Sequence, residues 1–433
     1  MLSTIFFRNS SKYFVKGNFA RHLQHFPRLH QSARPNFSAS ISKAVNSLKS
    51  SRFSLHNSSK YGFILKRFAS NGQKVPFGSF TDIPDKGRKI VGWWLMGFSG
   101  MVVGAVVLGG ITRLTESGLS MTSWKLLGQK YPSNEEEWIA EFERYKSYPE
   151  YKYLKKEQGI TLSEFKFIYF MEYSHRMWGR LIGVAFALPA AYFLKKGWIT
   201  KPMKPRLAIY GSLILFQGLL GWYMVKSGLE ENKRNEDIPR VSQYRLASHL
   251  GSALALFSLT LWGGLTHLQL PQKFAQTKQI ARLKGASHLV MTLVFVTALS
   301  GAFVAGLDAG LTYNSWPKMA DSWIPDDILA YSPKISNIFE NPTTVQFNHR
   351  HLGELTGAST LILWLFTRRC NLPSRARLAA NCLAAMAVVQ VSLGITTLLT
   401  YVPTSTAALH QSGSLALLSF AIWFNHALRK VPK

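Results

Sequence analysis

The sequence predicts an all-α integral membrane protein with eight transmembrane helices, arranged as two repeated four-helix bundles. Three observations carry this reading. Hydrophobic residues make up 47% of the 433-residue chain and charged residues only 17%. Uncharged runs such as Trp93–Ile111 and Leu378–Leu399 approach the roughly 20 residues that a bilayer-spanning helix needs. Short polar motifs in the first half recur, in order, in the second. A soluble protein of ordinary type is excluded. Two cysteines, Cys370 and Cys382, are too few for a disulfide framework or a zinc ribbon.

The first element is a leader. Residues 1–80 hold thirteen Lys or Arg and no Asp or Glu, with Ser and Asn abundant between them. No apolar core follows the first charges, so a secretory signal does not fit, whereas a mitochondrial transit peptide does. A basic arm for nucleic acid or acidic lipid would explain the charge but not the complete lack of acids. No nucleic-acid partner is expected. Lys66-Arg67, followed by Phe68, Ala69 and Ser70, resembles a matrix-protease site. The mature N-terminus is therefore expected near residues 68–70, and N-terminal sequencing of protein from mitochondria checks it; a full-length mature chain would overturn it. Residues 1–69 are read as the transit peptide and 70–89 as a matrix segment.

Eight apolar segments follow, at about 90–112, 167–194, 206–226, 244–266, 285–306, 346–366, 376–400 and 405–427. They do not alternate apolar and polar residues and are too long for barrel strands, so helices are expected. Loop charge orients them. After the second span come Lys195, Lys196, Lys201, Lys204 and Arg206, and after the fourth Lys273, Lys278, Arg282 and Lys284, with no acid in either loop. The loop after the sixth carries Arg368, Arg369, Arg375 and Arg377, and the tail carries Arg429, Lys430 and Lys433. The opposite loops are acidic or balanced: residues 307–345 hold five acids and two bases, and 227–243 four acids and three bases. The positive-inside rule puts both termini and the basic loops in the mitochondrial matrix, in a multi-pass protein of the inner membrane. Residues 90–266 form the N-terminal bundle, 267–284 a matrix linker, 285–427 the C-terminal bundle and 428–433 a matrix tail.

The repeat is read from four matched pairs. Glu116–Trp124 (Glu-Ser-Gly-Leu-Ser-Met-Thr-Ser-Trp) matches Asp308–Trp316 (Asp-Ala-Gly-Leu-Thr-Tyr-Asn-Ser-Trp). Glu172–Gly179 matches Gln346–Gly353, and Gln217–Gly221 matches Gln390–Gly394. His249 matches His410, each followed five residues later by Leu-Ala-Leu. Four spans per half is an even number, so both halves insert the same way round.

Of twelve histidines, four lie in the leader, and His267, His288, His351 and His426 read as interfacial or structural. His175, His249, His349 and His410 occupy repeat-matched positions, one to two turns inside the spans that run inward from the outer side. Ionisable groups there are costly and usually functional. Two imidazoles on separate helices of a bundle suit axial ligation of a haem. A zinc site would want thiolates, and a di-iron site a second Glu-x-x-His where Gln346 stands instead. Arg176, Arg180 and Arg350 lie beside these ligands and are candidate propionate partners. Glu172, three residues before His175, shares its helix face; its counterpart is the neutral Gln346. That asymmetry marks the N-terminal pair as the site of chemistry, with Glu172 as catalytic candidate.

The stretches Gly109–Met121, Glu172–Arg180, Gln217–Leu229, Pro239–His249 and Val402–Gln411 together resemble the haem A synthase family in its eukaryotic mitochondrial branch, over about residues 90–430. The resemblance implies oxidation of the C8 methyl of haem O to the formyl of haem A, for cytochrome c oxidase. It implies that His175 and His249 serve the substrate haem, that His349 and His410 ligate haem b, and that Glu172 is important for activity. A methyl group has no acidic proton, so the reaction needs O2 and reducing equivalents; two successive hydroxylations and loss of water give the aldehyde. Matrix ferredoxin is the electron donor the resemblance suggests, with haem O synthase and oxidase assembly factors as further partners beside the lipid bilayer. A homo-oligomer is compatible with the sequence. Two other classes share some of these features: a bis-His electron-transfer cytochrome b, which gives no reason for Glu172 opposite Gln346, and a repeat-built transporter, whose polar residues would sit at the midplane.

Overall fold

The computed structural model describes residues 83–430, apart from residues 122, 126, 127, 149, 158 and 230–240. The transit peptide, most of the matrix segment, part of the 227–243 loop and the last three residues of the tail lie outside the described residues. The described chain is helical, with no β-strand.

Nine helices carry the architecture: α1 (Asp85–Leu114), α2 (Glu135–Lys146), α3 (Leu162–Lys195), α4 (Met203–Leu229), α5 (Gln243–Leu268), α6 (Lys278–Gly306), α7 (Pro342–Arg368), α8 (Ser374–Leu399) and α9 (Thr404–Ala427). All except α2 coincide with the expected spans. Their starts follow from local chemistry. Thr161 and Glu164 form a reciprocal capping box at α3. Thr277 accepts from the Ile280 amide at α6, and Asn341 accepts from Thr343 at α7, where Pro342 occupies the first helical turn. The α1 and α6 C-termini are stopped by Glu116 and Asp308, repeat-matched residues with φ of 49° and 51°.

Seven of these helices, α1, α3 to α6, α8 and α9, are long and apolar enough to cross a membrane. Helix α7 has the length but not the composition. It carries Arg350, Glu354 and Arg368, and its first half adds Gln346, His349 and His351. Composition therefore yields seven spans where eight were expected, because α7 exchanges apolar surface for functional groups. The all-α membrane architecture stands.

The helices pack as two rings. In the first, α1 touches α3 and α5, and α4 touches α3 and α5. In the second, α6 touches α7 and α9, and α8 touches α7 and α9. The rings meet where α5 contacts α6 and α9 contacts α1 and α5. Core side chains such as Val91, Leu95, Phe98, Leu254, Leu283, Leu418 and Phe424 fill both rings and this seam. Small residues let the helices close up. Gly110 is one: a side chain there would collide with Gln411 of α9, whose amide instead reaches the Val106 carbonyl of α1 at 2.9 Å.

The long loop after α1 contains α2 and a small core of its own. Met121, Trp138, Tyr145, Phe165, Ile168 and Tyr169 are buried together. Asn134 caps α2 by accepting from the Glu137 amide. The Tyr145 hydroxyl donates to Glu150 at 2.7 Å, and burial, then the Glu150 carboxylate, push its phenol above the usual range. This cap packs on the first two turns of α3 and holds the loop that meets Glu172.

Candidate haem-ligating sites

Each of the four histidines predicted as ligands faces a glycine on the neighbouring helix. A Cβ on Gly109 of α1 would lie 2.8 Å from Cε1 of His175, and one on Gly221 of α4 would lie 3.6 Å from Cε1 of His249. In the second ring Gly301 of α6 plays this part for His349 at 3.3 Å, and Gly394 of α8 for His410 at 2.9 Å. Gly109 and Gly301 are repeat-matched, as are Gly221 and Gly394. All four glycines lie in the last third of their helices, so the four imidazoles sit at one level, towards the end of the molecule that carries the cap. The glycine in each position is explained by the ring it accommodates, which the sequence pattern of small residues did not reveal.

His349 and His410 face each other with ring centroids 6.3 Å apart and planes at 88°. Two metal–nitrogen bonds of about 2.0 Å, with about 1.1 Å from each nitrogen to its ring centre, span about 6.2 Å. The ring separation matches that of two imidazoles sharing one metal. No group of three or more His, Cys, Asp or Glu able to hold a metal ion occurs among the described residues. Two-imidazole sites suit a porphyrin, which brings four nitrogens of its own. Buried donors and acceptors left without partners cluster here too: Nδ1 of His175, Nδ1 of His249, Nε of Arg350 and Oε1 of Gln346. The residues of the second ring fit a haem, and the first ring repeats the same plan of two imidazoles each set against a glycine.

Glu172 is buried, with 2% of its surface exposed. One carboxylate oxygen accepts from the Ser120 hydroxyl at 2.6 Å and the Met121 amide at 2.8 Å; the other pairs with Arg176. Arg176 also donates to the Met121 carbonyl, and to the Ser123 carbonyl at 2.9 Å, while its guanidinium lies 5.2 Å from the Trp124 ring centre. Arg180 donates to the carbonyls of Arg176 and Lys125. The sequence placed these arginines beside the ligands, but their link to the 120–125 loop is legible only in the fold. In the second ring the same plan recurs with neutral chemistry. Gln346 donates to the Tyr313 carbonyl at 3.1 Å, and Arg350 donates to it at 2.6 Å. Tyr313 is the repeat counterpart of Met121. A buried carboxylate is thus present in one ring and absent from the same place in the other. Across the seam, Arg113 pairs with Asp308 at 2.8 Å, tying the turn after α1 to the turn after α6.

The glycine contacts give a direct prediction. Gly109→Ala forces the His175 ring aside, and a displacement of about 1 Å at a reacting centre can cost about 100-fold. Activity that depends on His175 is expected to fall by about that factor, with the optical spectrum of a group bound at His349 and His410 unchanged. Optical spectra together with chromatography of extracted haem check both.

Known proteins carry the same pattern. The family of cytochrome oxidase assembly proteins (COX15-CtaA) matches residues 92–422. A cattle protein named "Heme A synthase COX15" is 57% identical over 360 residues, covering 83% of this chain and 87% of the relative. An Arabidopsis thaliana protein of the same name is 47% identical over 347 residues, covering 79% and 75%. The "Heme A synthase" of the bacterium Nitrosospira multiformis is 42% identical over 344 residues, covering 79% and 94%. With a His pair in each of two matched rings and the family matched across nearly all of the described residues, this chain belongs to the cytochrome oxidase assembly protein family that includes these haem A synthases.

Proposed function

We propose that this protein is a haem A synthase of the mitochondrial inner membrane, oxidising the C8 methyl group of haem O to the formyl group of haem A. The observation that carries the reading is the twice-built His pair with a buried carboxylate beside only one of them, Glu172 in the first ring against Gln346 in the second. His175 and His249 hold the substrate haem, and His349 and His410 hold a resident haem b. Bound haem iron supplies the O2 and electron chemistry that an unactivated methyl group requires. The chain's residues do the rest. The glycines leave room for the imidazoles. Arg350, with its buried Nε open beside His349, is the best-supplied propionate donor; Arg176 and Arg180 serve the first ring while bracing the 120–125 loop. Glu172, held one turn before His175, is the group placed to carry a proton to the reacting face or to fix the methyl group there. Helix α7 is the eighth span in this reading, packed against α6 and α8. The basic loops and both termini face the matrix, where a ferredoxin supplies electrons.

The test is conversion. Purified protein supplied with haem O, O2 and a reductant should yield haem A on extraction and chromatography. Bound b-type haem with no haem A or hydroxylated product would overturn the reading in favour of an electron carrier, and a protein that binds no haem would favour a transporter.

A further inference from the structure

The two His pairs differ in what holds their second ring nitrogen. In the C-terminal ring, Ser300 of α6 lies 2.7 Å from His349 Nδ1. The Ser300 hydroxyl has one proton, and that proton goes to the Thr297 carbonyl at 2.8 Å. The contact with His349 therefore has Nδ1–H donating to Ser300 Oγ, which leaves the lone pair on Nε2. The position matching Ser300, one before Gly109, is Leu108, which cannot accept. His175 Nδ1 accordingly has no partner among the described residues.

The other ligand also differs between the rings, through a contact that runs in the opposite direction. Gln217 and Gln390, repeat-matched, both donate to the backbone carbonyl of the facing histidine, His249 at 3.0 Å and His410 at 2.9 Å. The Gln217 amide nitrogen also binds Ser252 at 2.7 Å, and His249 Nδ1 is left without a partner. The counterpart of Ser252 is Gly413, where any side chain would collide with Gln390. With Gly413 making that room, the Gln390 amide sits 3.1 Å from His410 Nδ1. The C-terminal ring thus holds both imidazoles through Nδ1 and the N-terminal ring holds neither, but only Ser300 can accept from Nδ1–H; the Gln390 NH2 can only donate to it.

We infer that Ser300 is a positioning residue that fixes the tautomer and orientation of His349 and makes the C-terminal pair a permanent haem seat, whereas Leu108 leaves the His175 ring without that hydrogen-bonded anchor and so lets the N-terminal pair exchange its haem. The inference rests on the proposed division of the pairs into substrate and resident sites. The division needs such a device: a resident haem must stay, and a product must leave. A hydrogen bond accepted from Nδ1–H makes the imidazole a stronger donor to bound iron and holds its plane, and losing such a partner commonly costs 10–100-fold in affinity.

The experiment uses the full-length protein purified with its haem. Ser300→Ala should raise the midpoint potential of the b-type haem, because the weaker ligand favours oxidised iron less. A tenfold loss of that preference is a rise of about 59 mV for a one-electron couple. Transfer of the b-type haem to an apoprotein scavenger should become about 10-fold faster. Ser300→Thr keeps the hydroxyl and should restore both values. Leu108→Ser should slow release of haem from the N-terminal pair by a similar factor. If Ser300→Ala does not accumulate, Ser300→Cys, similar in size but a weak acceptor, should show the same direction of shift. An unchanged potential and an unchanged transfer rate in the Ala or Cys variant would overturn the inference. His349→Ala separates it from the underlying reading: loss of the b-type signal there keeps the site assignment, and persistence of that signal overturns the assignment itself.

Discussion

Glu172→Gln is expected to lower haem A formation by two to four orders of magnitude while the protein still folds and binds haem. Losing a positioned proton-transfer group costs about that much. The substitution keeps size, and its amide oxygen can still accept from Ser120 and the Met121 amide, as the carboxylate does. What is lost is the charge facing Arg176 and the ability to carry a proton. Removing one partner of a buried ion pair can cost about 3–5 kcal/mol. Here the cost is moderated, because Arg176 keeps its bonds to the Met121 and Ser123 carbonyls. The second ring already tolerates this chemistry, with Gln346 beside Arg350 on the Tyr313 carbonyl. Glu172→Asp adds a discriminating arm. It retains the charge but shortens the reach, so partial activity would point to the carboxylate itself, and none to its exact placement against the loop. Extracted haem, normalised to protein-bound haem b, is the measurement. Normal haem A from Glu172→Gln would reduce Glu172 to a brace for the 120–125 loop.

The second large effect concerns the ligands. His349→Ala or His410→Ala should remove the b-type haem signal proposed for that pair, since the two imidazoles lie with ring centroids 6.3 Å apart. His175→Ala or His249→Ala should abolish haem A formation and leave that signal in place. The two rings are built on separate sets of helices, so removing one imidazole creates its cavity within one ring and leaves the core of the other packed. Reduced-minus-oxidised spectra and chromatography of extracted haem read both quantities from the same preparation. Identical spectra for all four variants would mean that the pairs are not specialised.

Most of the membrane architecture is legible in the sequence because lipid imposes a simple rule: uncharged stretches of helix length must span, and they end at charge. The repeat and the four histidines are legible for a related reason. Polar residues are rare in such stretches, so matched ones stand out. Glu172 against Gln346 could likewise be read by aligning the halves. The exception among the spans, α7, fails the composition rule because its first half is given over to Gln346, His349, Arg350 and Glu354. The cap around Tyr145 and Trp138 was not legible. Its aromatic residues are spread through a polar loop and converge only when α2 folds onto α3.

By itself, the sequence determined the all-α membrane class, the long apolar helices and the repeat that singles out the candidate residues, since each is a property of local composition or of a repeated word. Only the tertiary structure decided partners. It set Gly109, Gly221, Gly301 and Gly394 against the four imidazoles and bound Arg176 to carbonyls of the 120–124 loop. It also put a hydroxyl beside His349 where His175 has a leucine position. Those contacts join helices far apart in the chain, and which side chains meet depends on the rotation and depth at which packed helices settle. That rotation and depth are a property of the whole ring rather than of any one of its segments.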